Sequence, residues 1–199
     1  MKENRVRRTL VVLAAVMIAS LLEVAPAQAD DRICRGTIGS VHIDGNVIVP
    51  SGARCTLKGT RIDDNVEVKR GARLVARGVR IGGNIQTQGH DSVLVTVRKS
   101  SGGITRSRVG ADIQIESGGR GIVRRTIIGG NLQTKQNSGR QAAIRNRIDA
   151  DLQAFSNHGG VRILGNVIDG NLQCKSNAPR PTGGNNRVQG NKEDQCKRL

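Results

Sequence analysis

The chain has 199 residues, with 32 Lys and Arg against 16 Asp and Glu, 26 glycines, four cysteines, one Phe and neither Trp nor Tyr. Its length argues for one domain, and a hydrophobic content of 36% is too high for a disordered tail. The missing aromatic rings argue against sites that stack sugars or bases, and against the common modules that read RNA or single strands by stacking.

Residues 1–29 read as a secretory signal peptide. Lys2, Arg5, Arg7 and Arg8 form a basic start, Leu10 to Leu22 is an uncharged apolar run, and Ala27-Gln28-Ala29 matches a small-x-small cleavage pattern. The apolar run is shorter than the roughly 20 residues of a spanning helix. The residues flanking Arg7-Arg8 fit the twin-arginine pattern poorly, so the general export route is expected. Cleavage leaves Cys34, Cys55, Cys174 and Cys196 in the exported chain. An even cysteine count in an exported chain predicts two disulfides.

From residue 43 onward a seven-residue pattern recurs seven times: Ile43-Asp-Gly-Asn46-Val-Ile-Val49, then its equivalents around Asn65, Asn84, Asp112, Asn131, Asp151 and Asn171. The Asn/Asp anchors are spaced 19, 19, 28, 19, 20 and 20 residues apart. Three before each anchor stands Ile or Val, and one after stands Val, Ile or Leu. Apolar residues at the first and third positions after the anchor, with a polar one usual between, have the period of two of a strand with one buried face. Six after the anchor stand Gly52, Gly71, His90, Gly118, Asn137, Asn157 and Asn177. Gly and Asn take the left-handed conformation most readily, so each repeat reads as strand, corner, strand, corner.

Short strands and corners recurring every 19–20 residues describe an all-β, single-domain parallel β-helix of about seven coils, with right-handed winding expected. At about 4.8 Å per coil, first and last anchors stand roughly 30 Å apart. The anchors are expected to form an internal amide ladder. The second residue after each forms an outer column: Ile48, Glu67, Gln86, Gln114, Gln133, Gln153 and Gln173. Such ladders stabilise stacked sheets and are read as architecture.

The predicted organisation is a signal peptide at 1–29, a β-helix at 30–174 and a disulfide-tied cap at 175–199. The long interval at 88–110 is a longer coil holding a strand at 93–97 and a basic Gly/Ser loop at 98–103, a place where function is grafted onto solenoids. Cys34 and Cys174 belong to opposite ends of such a stack, too far apart for a bridge. Cys34–Cys55 and Cys174–Cys196 are therefore the expected pairs, one closing each end.

In Ile43–Leu57 and Ile62–Leu74, the alternation of Ile, Gly/Asp-Asn and Val with Gly-Ala-x-Leu resembles the coils of bactofilins, bacterial β-helical proteins that polymerise end to end. The stretch Gly170–Asn177 through Gln189–Cys196 resembles a set of exported bacterial β-helix proteins with similar paired-cysteine tails. The first resemblance implies end-to-end self-assembly. The second implies export and brings no known activity.

Catalysis is not expected. A glycosidase needs two carboxylates flanking a bond, whereas Asp44, Asp63, Asp149 and Asp169 recur in a turn column that turn formation explains. His42, His90 and His158 share no column, and there is no phosphate-binding glycine loop. No cofactor or metal is expected. A polysaccharide lyase or hydrolase on a β-helix scaffold is the least favoured reading.

Charge supplies the candidate site. Four before the anchors stand Arg61, Arg80, Arg108 and Arg147, expected to point outward in a vertical row, with Lys58, Arg77 and Arg124 recurring seven positions before an anchor and thickening the patch. A row of guanidinium groups suits a repetitive anion such as an acidic polysaccharide, teichoic acid or lipid headgroups. Nucleic acid is the second choice. Self-association is the competing reading.

Overall fold

The computed structural model describes residues 31–199, so the expected signal peptide lies outside the described residues. The described chain is all-β, with no helix, wound as a parallel solenoid. Each coil contributes one strand to each of three sheets. Sheet I has nine strands, from Arg32–Ile33 to Lys192–Asp194, and sheets II and III have eight each, from Thr37–Ile38 to Thr182–Gly184 and from His42–Ile43 to Arg187–Val188. A coil therefore has three strands and three corners, where the sequence pattern showed two of each. The third strand is only two residues long, as in Arg61–Ile62, too short for an alternation to stand out.

Eight full coils are present, one more than expected, and a ninth sheet I strand follows them. The N-terminal coil precedes the first anchor. At the other end, Asn191 is an eighth anchor, 20 residues after Asn171, whose backbone N–H donates to Asn171 Oδ1 at 2.9 Å. Its repeat is disguised because Lys192 and Asp194 pair in register with Leu172 and Cys174, where earlier coils carry apolar residues or threonine. Residues 175–199 are thus mostly the last coil rather than an appended tail.

Register carries the core from coil to coil. Val47, Val66, Ile85, Ile113, Leu132, Leu152 and Leu172 stack as one inward column and are all fully buried. Burying such side chains contributes about 1.5–3 kcal/mol each. This column meets Arg32 at one end and Lys192 at the other. A cation in an inward column at an open sheet edge disfavours further strand pairing. Leu199 folds back into the core with 9% exposure. The expected disulfides are observed, with Cα–Cα separations of 5.5 Å for Cys34–Cys55 and 5.2 Å for Cys174–Cys196.

The anchors form their ladder at the corner from sheet III to sheet I. Asn65 donates from its backbone N–H and Nδ2 to Asn46 Oδ1 (3.0 and 3.1 Å), and Asn84 repeats this on Asn65 (2.8 and 3.0 Å). This ladder is only half-buried. Two deeper ladders fill the other corners of the later coils: Asn137–Asn157–Asn177 between sheets I and II, and Asn146–Asn166–Asn186 between sheets II and III. The first of these corrects the expectation of left-handed backbone at Asn137, Asn157 and Asn177. Gly52 and Gly71 do take positive φ (70° and 67°), but from Gly89 onward the left-handed residue is the preceding one: Ser117, Gln136, Ser156 and Ser176. The asparagine is thereby freed to turn its amide inward. Asn157 Nδ2 donates to Thr134 O at 3.0 Å and to Asn177 Oδ1 at 2.9 Å, so a fully buried amide is satisfied.

The long coil differs from expectation in one respect. Ser92–Thr96 is the ordinary sheet II strand, in register with its neighbours. The insertion that follows is a hairpin rather than a loop: Arg98–Ser100 pairs antiparallel with Gly103–Thr105. It leaves the solenoid where sheet II turns into sheet III.

Candidate functional site

Charge is segregated among the three sheets. The strands of sheet I carry Arg32, Lys135, Lys175 and Lys192 against Glu67, Glu116, Glu193 and Asp194. Sheet II strands carry seven cations and no carboxylate: Arg54, Lys58, Arg73, Arg77, Arg120, Arg124 and Arg162. The expected arginine row opens the strands of sheet III. His42, Arg61, Arg80 and Arg108 are consecutive in register, followed by Ile127, Arg147, Val167 and Arg187. Arg61, Arg80, Arg108 and Arg147 are all exposed.

The members of the row are not equivalent. Arg61 Nε donates to Asp63 (3.2 Å), which also meets His42 Nε2 at 2.7 Å. These two hydrogen bonds, His42 foremost, hold the Asp63 carboxyl below its ordinary pKa. Arg147 reaches Asp149 and Asp169, both at 3.1 Å. Arg80 and Arg108 form no ion pair among the described residues. The reason is local: two positions after them stand Gly82 and Gly110, where Asp63 and Asp149 follow Arg61 and Arg147.

Lys58, Arg77 and Arg124 stand on the sheet II side of the same corner. Lys58 is the register partner of Arg77, which neighbours Thr96 in the long coil, and Arg124 lies beyond. Here the hairpin creates a cleft of about 630 Å³. Lys58 and Arg77 line it from the earlier coils, Arg98 and Lys99 from the hairpin, and Arg124, Arg125 and Arg145 from the later coils; no carboxylate lines it. Thr96, Val97 and Ile144 complete the wall, and Arg124 Nε donates to Thr96 Oγ1 at 3.2 Å. The cleft therefore gathers the Lys58 column and leaves Arg61, Arg80, Arg108 and Arg147 on the other flank of the corner.

Arg98, Lys99, Arg125 and Arg145 were absent from the expected site residues, as was Arg187, which belongs to the disguised last coil. Arg98 and Lys99 were visible as part of a basic insertion. Arg125 and Arg145 hold the left-handed corner position, with φ of 52° and 54°, that Gly59, Gly78 and Gly165 hold elsewhere. Left-handed backbone costs a non-glycine residue about 1–2 kcal/mol, so these two positions are filled against local preference. Like charges on neighbouring strands add a smaller repulsion. A bound anion would relieve it.

The hairpin is fixed to the corner. Arg98 runs back along the preceding coils and donates from Nη1 to Ser40 Oγ at 2.8 Å. It passes over Gly59 and Gly78, and a Cβ on Gly78 would stand 2.5 Å from Arg98 Cβ. At the hairpin's base Ser107 Oγ donates to Thr96 O at 2.5 Å.

A second cleft, of about 800 Å³, lies on sheet I and is lined by both signs of charge, Glu67 and Glu116 with Lys69 and Arg70. Beyond this cleft, in the later coils of sheet I, the outer glutamine column forms its ladder from Gln133 through Gln153 and Gln173 to Glu193 (3.0, 2.9 and 3.0 Å). His90 is buried and bonds Thr87 Oγ1 through Nδ1 at 3.0 Å. Burial lowers its pKa to about 4. Among the described residues no group of three or more His, Cys, Asp or Glu is placed to hold a metal ion.

Comparison with protein-family models, with curated proteins and with solved structures gave no match.

Proposed function

We propose that this is a non-enzymatic binding protein of an oxidising extracytoplasmic compartment, which holds a repetitive anion against the corner between sheets II and III. The ligand chemistry is an array of phosphates or carboxylates, as in acidic polysaccharides, teichoic acids or lipid headgroups. Nucleic acid shares the phosphate array and ranks second. The observation that carries this reading is the cleft of about 630 Å³ lined by seven cations and no carboxylate. The leader pattern and the two cysteine pairs support the compartment.

End-to-end assembly of the bactofilin kind is the second reading, favoured by the exposure of Ile33 and Val41 (52% each) on the first coil. Arg32 and Lys192 in the inward column weigh against it.

Titration of the exported protein with soluble polyphosphate and with polygalacturonate, at several salt concentrations, tests the proposal. Binding that weakens with salt is expected, with an affinity loss of at least roughly tenfold on changing Lys58, Arg77 and Arg124 together to Gln. A variant that binds like the wild type removes the corner from the function. Sedimentation of the protein alone would favour assembly.

A further inference from the structure

The hairpin carries a feature that a soluble polyanion does not use. Ile104, in its second strand, is 60% exposed. The two other large exposed hydrophobics among the described residues, Ile33 and Val41, lie in the first coil. Ile104 is the register partner of Lys99 and follows Gly103, which leaves the Ser101-Gly102 turn. Cations flank it on both sides of the corner: Lys58 and Arg77 close sheet II strands, and Arg80 and Arg108 open sheet III strands. From Ser92 to Gly110 the chain has no carboxylate. The Arg98 bond to Ser40 ties the base of the projection to the preceding coils, which lowers the ordering cost of displaying its apolar side chain.

A linear polyanion would engage a single track of cations and leave the isoleucine in water. A bilayer offers a plane of anionic groups with an apolar layer directly beneath, which matches cations on both flanks of an apolar crest. Building on the anion-binding reading above, we propose that the corner docks on an anionic phospholipid surface. The hairpin inserts Ile104 below the phosphate plane, while Lys58, Arg77, Arg80 and Arg108 hold phosphates on either side.

The chain has no Trp, so Ile104→Trp places a single reporter on the crest. The exported protein and its variants would be mixed with vesicles of phosphatidylcholine, with and without phosphatidylglycerol, and separately with polyphosphate. Expected are a blue-shifted emission from the introduced tryptophan with phosphatidylglycerol vesicles only, and its quenching by lipids brominated on their acyl chains. Ile104→Ser should weaken vesicle binding by roughly fivefold to tenfold and leave polyphosphate binding unchanged. Tryptophan emission that stays water-like on bound vesicles, or an Ile104→Ser variant that binds them as tightly as wild type, overturns the docking and leaves anion binding standing. Binding to polyphosphate without binding to vesicles does the same. Binding to neither defeats both proposals.

Discussion

The coils before Asn131 turn the two corners flanking sheet II largely on glycine and small hydroxyls, such as Gly52, Gly71, Gly59-Thr60 and Arg125-Thr126. Those after it turn on buried asparagines. The later coils also take one extra residue between sheets I and II, as Asn137-Ser-Gly replaces Gly118-Gly, which accounts for the spacing of 20. An asparagine corner satisfies itself through the next coil and leaves nothing over for a ligand. A glycine corner has no side chain of its own and lets another lie across it, as Arg98 lies across Gly59 and Gly78. Most of the cleft belongs to the glycine-turned half. Regularity and chemistry have been divided along the axis.

The sharpest test of that division is Asn157→Ala. It strands the backbone N–H of Asn137 in the core, removes the side-chain bonds to Thr134 O and Asn177 Oδ1, and should cost roughly 3 kcal/mol in urea unfolding. The equivalent change at half-buried Asn65 should cost about 1 kcal/mol. Equal losses at the two sites would break the contrast between deep and shallow ladders.

In the glycine-turned half, Gly78→Ala should cost about 1–2 kcal/mol, because φ there is 60° and the added methyl meets Arg98. It should also loosen the hairpin, seen as faster amide exchange across 98–105. Unchanged exchange would mean that the glycine serves the corner alone.

His90 stands between the halves, two coils before Asn137, where the buried asparagine column begins. Its folded pKa of about 4 lies below the ordinary value of 6.5, so between those values the unfolded chain binds the proton more readily. Stability is then fully present above about pH 6.5 and is lost as pH falls toward 4, by roughly 2 kcal/mol. His90→Asn should flatten this acid limb in thermal melts.

The smallest effects concern the arginine row. Changing Arg80 and Arg108 to Gln should lower the salt dependence of polyanion binding by roughly two counterions. The same change at Arg61 and Arg147 should lower it less, since Asp63, Asp149 and Asp169 already neutralise them. Equal slopes would show that those ion pairs open on binding.

The coil, its register and both disulfides were legible because a buried column must repeat: Ile62, Ile81 and Ile148 cannot change character without opening the core. The eighth anchor was not, since Lys192 and Asp194 sit at an open end where burial no longer dictates identity. The corner at Asn137 was legible only to within one residue, because Gly and Asn are the residues that readily take left-handed backbone and nothing in the sequence marks Gln136, which takes it there. The cation columns were legible as spacing. Their division into paired and unpaired members was not, since it depends on whether Asp or Gly follows two residues later and then reaches across. The cleft required the hairpin, whose path over Gly59 and Gly78 leaves no periodic trace.

Register between successive coils has an evolutionary consequence. Because Leu152 and Leu172 occupy equivalent places, excising residues 152–171 would join Asp151 to Leu172 without a mismatch. Such a deletion removes no residue of the cleft and keeps both cysteine pairs. Duplicating the same segment would lengthen the rod by about 4.8 Å. Rod length and cleft composition can thus drift independently in evolution, the one by gain or loss of whole turns and the other by point substitution around a hairpin that stays where it is.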